Sequence, residues 1–356
     1  KYLYLYGAYS FFNTVYDLQC FSTLTKLEQV YIHQHKVINI SSLNSPYNGG
    51  GEYEEPSLIG FSNCNKLKFL CIFNAEINQK WVQSDQKEPG LTITEALGTI
   101  RNLKYLILPY KEAGWMNTDY ALVNQKYFPN LEYFSISNVK TVEFNGDFKK
   151  LKTVVFQPYE GAAYRDKGIL IRNVKGFKKL KSLKNAYFIT SYPEPDLLQN
   201  VFLNKSIENL KYLYARSYNT DDDIGEDLHY YKIFCKKLKK LTIQTNRSIA
   251  LPKELKKCNQ LKTINILGDH TVVALPTSLF DIKSLESVDC GGKFVLYNPR
   301  KNPKNQKRKI QYMKKVPVEE MIGSHIDFSG EIFSVEASKI NLDFVRKILS
   351  KDTIVT

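Results

Sequence analysis

The sequence predicts an α/β solenoid, with a curved parallel β-sheet on its concave face and an irregular or helical convex side. The first observation is a Leu-x-x-Leu-x-Leu pattern that recurs between Leu238 and Cys290. The second is its period: Leu238, Leu261 and Leu285 are 23 and 24 residues apart, within the roughly 20–29 residues of a strand-based repeat. The third is a hydrophobic content of 43%, which is enough for a continuous core.

The segments that connect these strands also share a pattern. Leu251–Leu255 and Leu275–Leu279 both read Leu-Pro-x-x-Leu. With the strand pattern they resemble the leucine-rich repeat family, in the form L-P-x-x-L-x-x-L-x-x-L-x-x-L-x-L, and the irregular spacing resembles its bacterial members. The resemblance covers roughly residues 1–293. It implies a leucine-rich repeat solenoid, in a family whose members mostly bind proteins and sometimes glycans or lipids.

Aligning the chain backward from Leu238 gives further units. Each predicts one short strand, with the leucine-like residues facing inward and the intervening residues facing outward. Lys1–Leu5 matches the tail of one more unit. The units are Leu27-x-x-Val30-x-Ile32, Leu67-x-x-Leu70-x-Ile72, Leu103-x-x-Leu106-x-Leu108, Leu131-x-x-Phe134-x-Ile136, Leu151-x-x-Val154-x-Phe156, a less regular Leu180-x-x-Leu183, and Leu210-x-x-Leu213-x-Ala215.

These units divide the chain into three predicted parts. Residues 1–293 form the solenoid, with about 10–11 repeats beginning in mid-repeat, so we expect a longer precursor or a trimmed chain. Residues 294–317 form a basic linker, in which Pro299, Pro303 and Pro317 disfavour regular structure. Residues 318–356 form a C-terminal cap, because a solenoid requires a terminal unit with a polar outer face.

The cysteines are predicted to be structural. Cys64, Cys235 and Cys258 lie three residues before the first leucine of a unit, at a position that Ile or Phe fills elsewhere. Buried cysteines there behave as small hydrophobic residues. Cys235 and Cys258 are one repeat apart, so a disulfide between them remains an alternative.

Aromatic residues occupy the outward strand positions of the first half of the chain. Aromatic rings on a sheet face give a large contact area at low entropic cost, so we predict a partner site on the concave face. Two alternatives stay open: the rings only stabilise the sheet, or a loop covers them. The predicted contact residues are Tyr31, His33, Phe69, Phe73, Tyr105, Tyr133 and Trp115, with Lys68 and Lys104 at the rim.

The net charge of +14 suggests a second class of partner. Residues 300–315 carry eight basic residues and no acidic one. The residue after each first leucine is also often lysine, which predicts a basic stripe along the sheet edge. Polyanion binding is the alternative function, although the sequence lacks a nucleic-acid module and nucleic acid is not favoured. The lysines stand at positions 1, 68, 104, 152, 181, 211, 239 and 262, with glutamate at 28, 132 and 286.

Motifs for catalysis are absent from the sequence. It contains no Gly-rich phosphate loop, no G-x-S-x-G and no H-E-x-x-H. The acidic stretch Asp221–Asp227 resembles a calcium loop, but Lys232 stands at the twelfth position, where a bidentate glutamate is required. His33 and His35 lack a third metal ligand. We therefore predict no enzyme activity, no cofactor and no metal.

The predicted partner is a protein, with a glycan as the alternative ligand. No apolar run approaches the roughly 18 residues that span a membrane. The abundance of Tyr, Asn, Lys and Ile, with the irregular repeats, predicts an extracellular or cell-surface location; the alternative is cytoplasmic.

Overall fold

The fold is taken from a computed structural model, and it divides into two compact units, Lys1–Leu183 (unit 1) and Lys184–Thr356 (unit 2). The structure describes residues 1–6, 15–17, 21, 23–33, 36–38, 61–73, 76–78, 97–108, 120–137, 139, 141–157, 173–190, 201, 203–214, 235–244, 249–267, 272–290, 293–297, 332–336, 342–343 and 346.

Unit 1 is built on a parallel sheet in which β1, β3, β5, β7, β9 and β11 pair in that order. Two smaller parallel sheets accompany it, one of β2, β4 and β6 and one of β8, β10 and β12. The strands are β1 (Tyr2–Tyr6), β2 (Val15–Asp17), β3 (Gln29–His33), β4 (Lys36–Ile38), β5 (Phe69–Phe73), β6 (Glu76–Asn78), β7 (Tyr105–Leu108), β8 (Tyr120–Asn124), β9 (Tyr133–Ser137), β10 (Thr141–Asn145), β11 (Thr153–Gln157) and β12 (Asn173–Lys175).

Unit 2 repeats this arrangement, with β13, β14, β15, β17 and β19 in parallel order. In a second sheet, β16, β18 and β20 are parallel and β21 is antiparallel to β20. The strands are β13 (Asn185–Thr190), β14 (Asn209–Tyr214), β15 (Lys240–Gln244), β16 (Ile249–Ala250), β17 (Thr263–Leu267), β18 (Val272–Pro276), β19 (Ser287–Asp289), β20 (Lys293–Tyr297) and β21 (Ile332–Glu336).

The predicted parallel sheet of many short strands is confirmed within each unit, and the arrangement is solenoid-like. Among the described residues, the helical content is lower than an α/β class implies. Between the strands of the main sheets, the described residues form short second strands and the 3-10 helices Phe177–Lys179, Lys253–Lys257 and Thr277–Leu279. The fold is therefore β-rich. Among the described residues, no helix combines the length and apolar character needed to cross a membrane.

The predicted inward positions form the core. In unit 1, Val30, Leu70, Leu106 and Phe134 follow one another in register across four strands, and each is 0% exposed. Alternation along a strand explains this burial, since every second residue faces the same side. One buried row per inward position runs through the sheet, so each repeat completes the core of its neighbour.

The predicted register of two repeats is wrong by three residues. β13 and β14 pair Ala186 with Leu210, so the units are Leu183-x-x-Ala186-x-Phe188 and Ile207-x-x-Leu210-x-Tyr212. The cause lies in the turn before each strand. Leu180 takes the buried position that precedes the first leucine, and its carbonyl accepts a hydrogen bond from the N–H of Leu183 (3.2 Å).

The next repeat carries a polar residue at the same buried position. Asn204 is 1% exposed, and its side-chain oxygen accepts a hydrogen bond from the N–H of Ser206 (2.8 Å). An apolar pattern does not recognise asparagine as a core residue, and the pattern therefore slipped to Leu210.

The predicted cysteines occupy the buried turn positions as expected. Cys64, Cys235 and Cys258 are buried, and the five described cysteines are free thiols. The Cys64 thiol donates to the Phe21 carbonyl (3.4 Å). Burial raises the pKa of the Cys64 thiol to about 11 and that of Cys258 to about 12. The disulfide alternative between Cys235 and Cys258 is not adopted.

Two features of unit 2 lie within the predicted C-terminal cap. β21 pairs with β20, and the Arg346 guanidinium donates to the carbonyl oxygens of Phe280 (3.3 Å), Ile282 (3.1 Å) and Leu285 (3.2 Å). These contacts satisfy backbone acceptors at the last strand–turn segment. Of the predicted linker, residues 294–317, the part after Tyr297 lies outside the described residues. The predicted boundaries of the three parts stay predictions.

Candidate functional site

Five aromatic rings of unit 1 form a continuous row across five neighbouring strands. We call this set, Tyr4, Tyr31, Phe69, Tyr105 and Tyr133, the aromatic row. The ring centroids are 4.9 Å apart between Tyr4 and Tyr31 and 4.7 Å between Tyr31 and Phe69. They are 6.2 Å apart between Phe69 and Tyr105 and 6.1 Å between Tyr105 and Tyr133. Four of the predicted contact residues thus lie in one connected set.

The strand register produces this row. Phe69, Tyr105 and Tyr133 are register partners on β5, β7 and β9, at the first position of each strand. Tyr4 and Tyr31 are register partners on β1 and β3, two residues further along the strands. The row therefore crosses the sheet and steps once, between Tyr31 and Phe69.

Exposure differs between the rings of the row. Tyr4 is 63% exposed and Tyr105 is 42% exposed. By contrast, two residues that share the register position of Tyr31 are buried, since Cys71 is 8% and Ser135 is 3% exposed. Burial, followed by the nearby Tyr4 and Cys71, raises the pKa of the Tyr31 hydroxyl, so the phenol is neutral over the physiological range. On β5 and β9, the accessible part of this face therefore lies toward the first residues of the strands.

A row of charged residues borders the aromatic row, because one charged residue directly precedes each strand of the main sheets. We call it the charge row. Its members are Lys1, Glu28, Lys68, Lys104, Glu132 and Lys152 in unit 1 and Lys184, Glu208, Lys239, Lys262 and Glu286 in unit 2.

The charge row is not the lysine stripe that the sequence predicts. The slip in register wrongly placed Lys181 and Lys211 in it, and the true positions hold Lys184 and Glu208. Glutamates also bridge neighbouring lysines, as Glu132 does with Lys104 (2.9 Å) and Lys152 (3.3 Å). Unit 2 repeats this with Glu208, Lys184 (3.5 Å) and Lys239 (2.8 Å), and single pairs join Lys1 to Glu28 (3.8 Å) and Lys262 to Glu286 (2.6 Å).

These ion pairs predict a pH-dependent contribution to stability. Hydrogen bonds, first from Lys104, lower the pKa of the Glu132 carboxyl below its ordinary 4.5. A lowered pKa in the folded state stabilises the protein above the ordinary value, and this contribution is lost as the pH falls through the folded value. Glu132→Gln should lower the thermal midpoint slightly at pH 7, since such pairs are half-exposed. The difference from wild type should vanish at low pH.

Thermal unfolding followed by circular dichroism from pH 7 to pH 3 measures this effect. Glu286→Gln is the control, because the Glu286 side chain is 63% exposed and contacts one lysine. A difference between wild type and Glu132→Gln that grows as the pH falls would contradict the assignment.

The structure describes the other predicted site residues only in part. His33 and Phe73 are register partners at the ends of β3 and β5, and their side chains lie outside the described residues. Trp115 lies outside them altogether. Lys68 and Lys104 both belong to the charge row, beside Phe69 and Tyr105. Within the described residues, no cluster of three His, Cys, Asp or Glu could hold a metal ion.

Unit 2 has a polar surface at the matching register positions. Asn185, Asn209, Lys240, Thr263 and Ser287 stand at the position of Phe69 and Tyr105. The Asn209 amide donates to the Asn185 side-chain oxygen (2.7 Å). At this register position the aromatic residues therefore belong to unit 1, and unit 2 supplies matched positions for control variants.

A further group of basic residues was not singled out from the sequence. In unit 1, Lys26, Lys66, Arg101, Lys149 and Lys150 lie in the turns before the strands and are exposed; we call them the turn row. Apart from the glutamates of the charge row, the acidic residue among the described turns of this unit is Asp147. The signal was present one and two residues before most first leucines of unit 1, where basic residues recur; Leu131, preceded by Pro129 and Asn130, is the exception.

A search of family models finds no match to this chain, and no curated protein is significantly similar to it.

Proposed function

We propose that the protein is an interaction scaffold of the leucine-rich repeat type, which binds a protein partner through the aromatic row and performs no catalysis. The observation that carries this proposal is the set of ring contacts from Tyr4 to Tyr133. The 23- and 24-residue spacing of the last repeats supports the family assignment. An extracellular or cell-surface location is part of the proposal.

The aromatic row has the chemistry of an interface centre. Tyrosine is enriched at energetically dominant interface positions, because it buries a large area and keeps a hydroxyl for hydrogen bonding. Lys68 and Lys104 precede two of the rings, and a charged rim around an apolar centre is the usual anatomy of a protein interface.

Polyanion binding through the lysines is the second candidate. The charge row supports polyanion binding less than the predicted lysine stripe did, because Glu132 and Glu208 each form ion pairs with two lysines. The basic segment 300–315 lies outside the described residues. The exposed turn row supports an electrostatic contribution to binding.

The test is affinity capture by the full chain from cell-surface and whole-cell extracts. The variant Tyr105→Ala with Tyr133→Ala should reduce recovery of the partner at least about tenfold, as expected when two aromatic contact residues are removed. The matched control is Thr263→Ala with Ser287→Ala, which changes the same register position in unit 2 and should leave recovery unchanged.

Circular dichroism must show that both variants are folded at the capture temperature. Equal recovery by wild type and the tyrosine variant would overturn the placement of the site. Loss with the unit 2 variant alone would move the site to the other unit.

A further inference from the structure

We propose that the aromatic row receives a single amphipathic α-helix of the partner, laid across the strands, with an acidic flank that faces the turn row. This inference rests on the proposed function, and it specifies the chemistry of the partner. Three observations support it: the spacing of the rings, the way the rings pack on each other, and the charge beside them.

Averaged over the whole row, the ring spacing is close to the pitch of an α-helix. The four centroid distances in the row are 4.9, 4.7, 6.2 and 6.1 Å. A helix rises about 5.4 Å per turn, and residues three or four apart lie on one face. A helix along the row can thus place one apolar side chain at each successive ring.

An extended segment does not match this spacing. It advances about 3.3 Å per residue, so side chains on one face repeat at roughly 6.6 Å. That repeat exceeds all four ring distances, and the mismatch accumulates along the row to several ångströms. An extended strand would lose alignment before it reached the last ring.

The packing of the rings disfavours a ligand that lies flat on them. Tyr4 and Tyr31 are nearly parallel, with an interplanar angle of 11°. Phe69 is tilted by 31° from Tyr31 and by 34° from Tyr105. The faces of Tyr4 and Tyr31 are therefore turned toward each other, which leaves less of them open to a flat ligand. This packing suits the side chains of a helix better than the face of a sugar.

The basic residues of the turn row favour an acidic flank on the partner helix. Lys26, Lys66, Arg101 and Lys149 are exposed in the turns before the strands. The glutamates of the charge row, by contrast, contact lysines within the row: Glu28 pairs with Lys1. A partner with glutamate or aspartate on this side gains attraction, and a basic flank is repelled.

Synthetic helical peptides test the inference with the full chain. The probe is an 18-residue peptide of about five turns, with leucines every three or four residues and glutamates along one flank. One control replaces the glutamates with lysines, and another places two prolines in the middle, which breaks the helix. Binding is followed by fluorescence anisotropy of a labelled peptide at two salt concentrations.

The acidic peptide should bind at least about tenfold more tightly than either control, by analogy with charge reversal at other interfaces. The variant Tyr105→Ala with Tyr133→Ala should weaken binding of the acidic peptide by about the same factor. Lys66→Glu with Arg101→Glu should remove its preference over the basic peptide, whereas Lys253→Glu with Lys256→Glu, in unit 2, should not.

Equal binding of the acidic and basic peptides would overturn the acidic flank, and equal binding of the proline peptide would overturn the helix. Absence of peptide binding, while capture of the partner still depends on Tyr105 and Tyr133, would reject this inference and leave the proposed function standing. Capture that ignores both tyrosines would reject the proposed function itself.

Discussion

Phe144→Ala should destabilise the protein by about 3–5 kcal/mol, the cost typical of removing a buried phenylalanine. Phe144 lies on β10 and is 2% exposed. Its ring contacts four others in unit 1, with centroid distances of 5.7 Å to Phe134, 5.8 Å to Phe148, 6.5 Å to Phe156 and 6.2 Å to Phe177. The ring thus joins the main sheet to the smaller sheet, and alanine would leave a cavity between them.

Urea denaturation, followed by tryptophan fluorescence and circular dichroism, measures this loss. Phe144→Leu is the matched control, because it keeps most of the buried volume and should cost less than half as much. Similar stability of wild type and Phe144→Ala would mean that this aromatic cluster does not hold the two sheets together.

Gly176→Ala should have the second largest effect, a loss above about 2 kcal/mol. Gly176 has a φ of 73°, in the left-handed region that disfavours other residues. An added Cβ atom would also lie 2.1 Å from the carbonyl oxygen of Phe144, which is backbone and cannot move aside as a side chain would. Both causes act at the turn that leads into the 3-10 helix Phe177–Lys179.

The same denaturation assay applies to Gly176→Ala. Lys178→Ala is the control, since Lys178 is exposed two residues later and surface substitutions typically change stability by less than about 0.5 kcal/mol. A Gly176→Ala protein as stable as this control would show that the turn adopts another conformation.

The main sheets could be predicted from the sequence because their signal is periodic. Leucine-like residues alternate with outward residues in every strand, and the period recurs along the chain. The two errors of register have local causes. Leu180 and Leu183 have the same spacing as the first two leucines of a unit. Asn204 places a polar side chain at a core position. The second strands of the repeats carry too short a pattern to be distinguished from a helical or irregular segment.

The sequence predicted the residue types of the candidate site but not how these residues are arranged. Outward tyrosines and phenylalanines were evident, but the sequence does not show that Tyr31 contacts Phe69 across a step in register. The lysine stripe was misjudged for a similar reason. Whether a lysine forms an ion pair depends on its neighbours in the sheet. The position of Glu208 in the charge row is evident only from the strand register.

The central claim is that the aromatic row of unit 1 binds a protein partner. Capture by wild type and by Tyr105→Ala with Tyr133→Ala, at low and at high salt, tests it most directly. We expect wild type to retain one protein through high salt, because apolar contacts are not screened, and the variant to lose it. Recovery of nucleic acid or another polyanion that both proteins release steeply with salt would contradict the claim and assign binding to the basic residues.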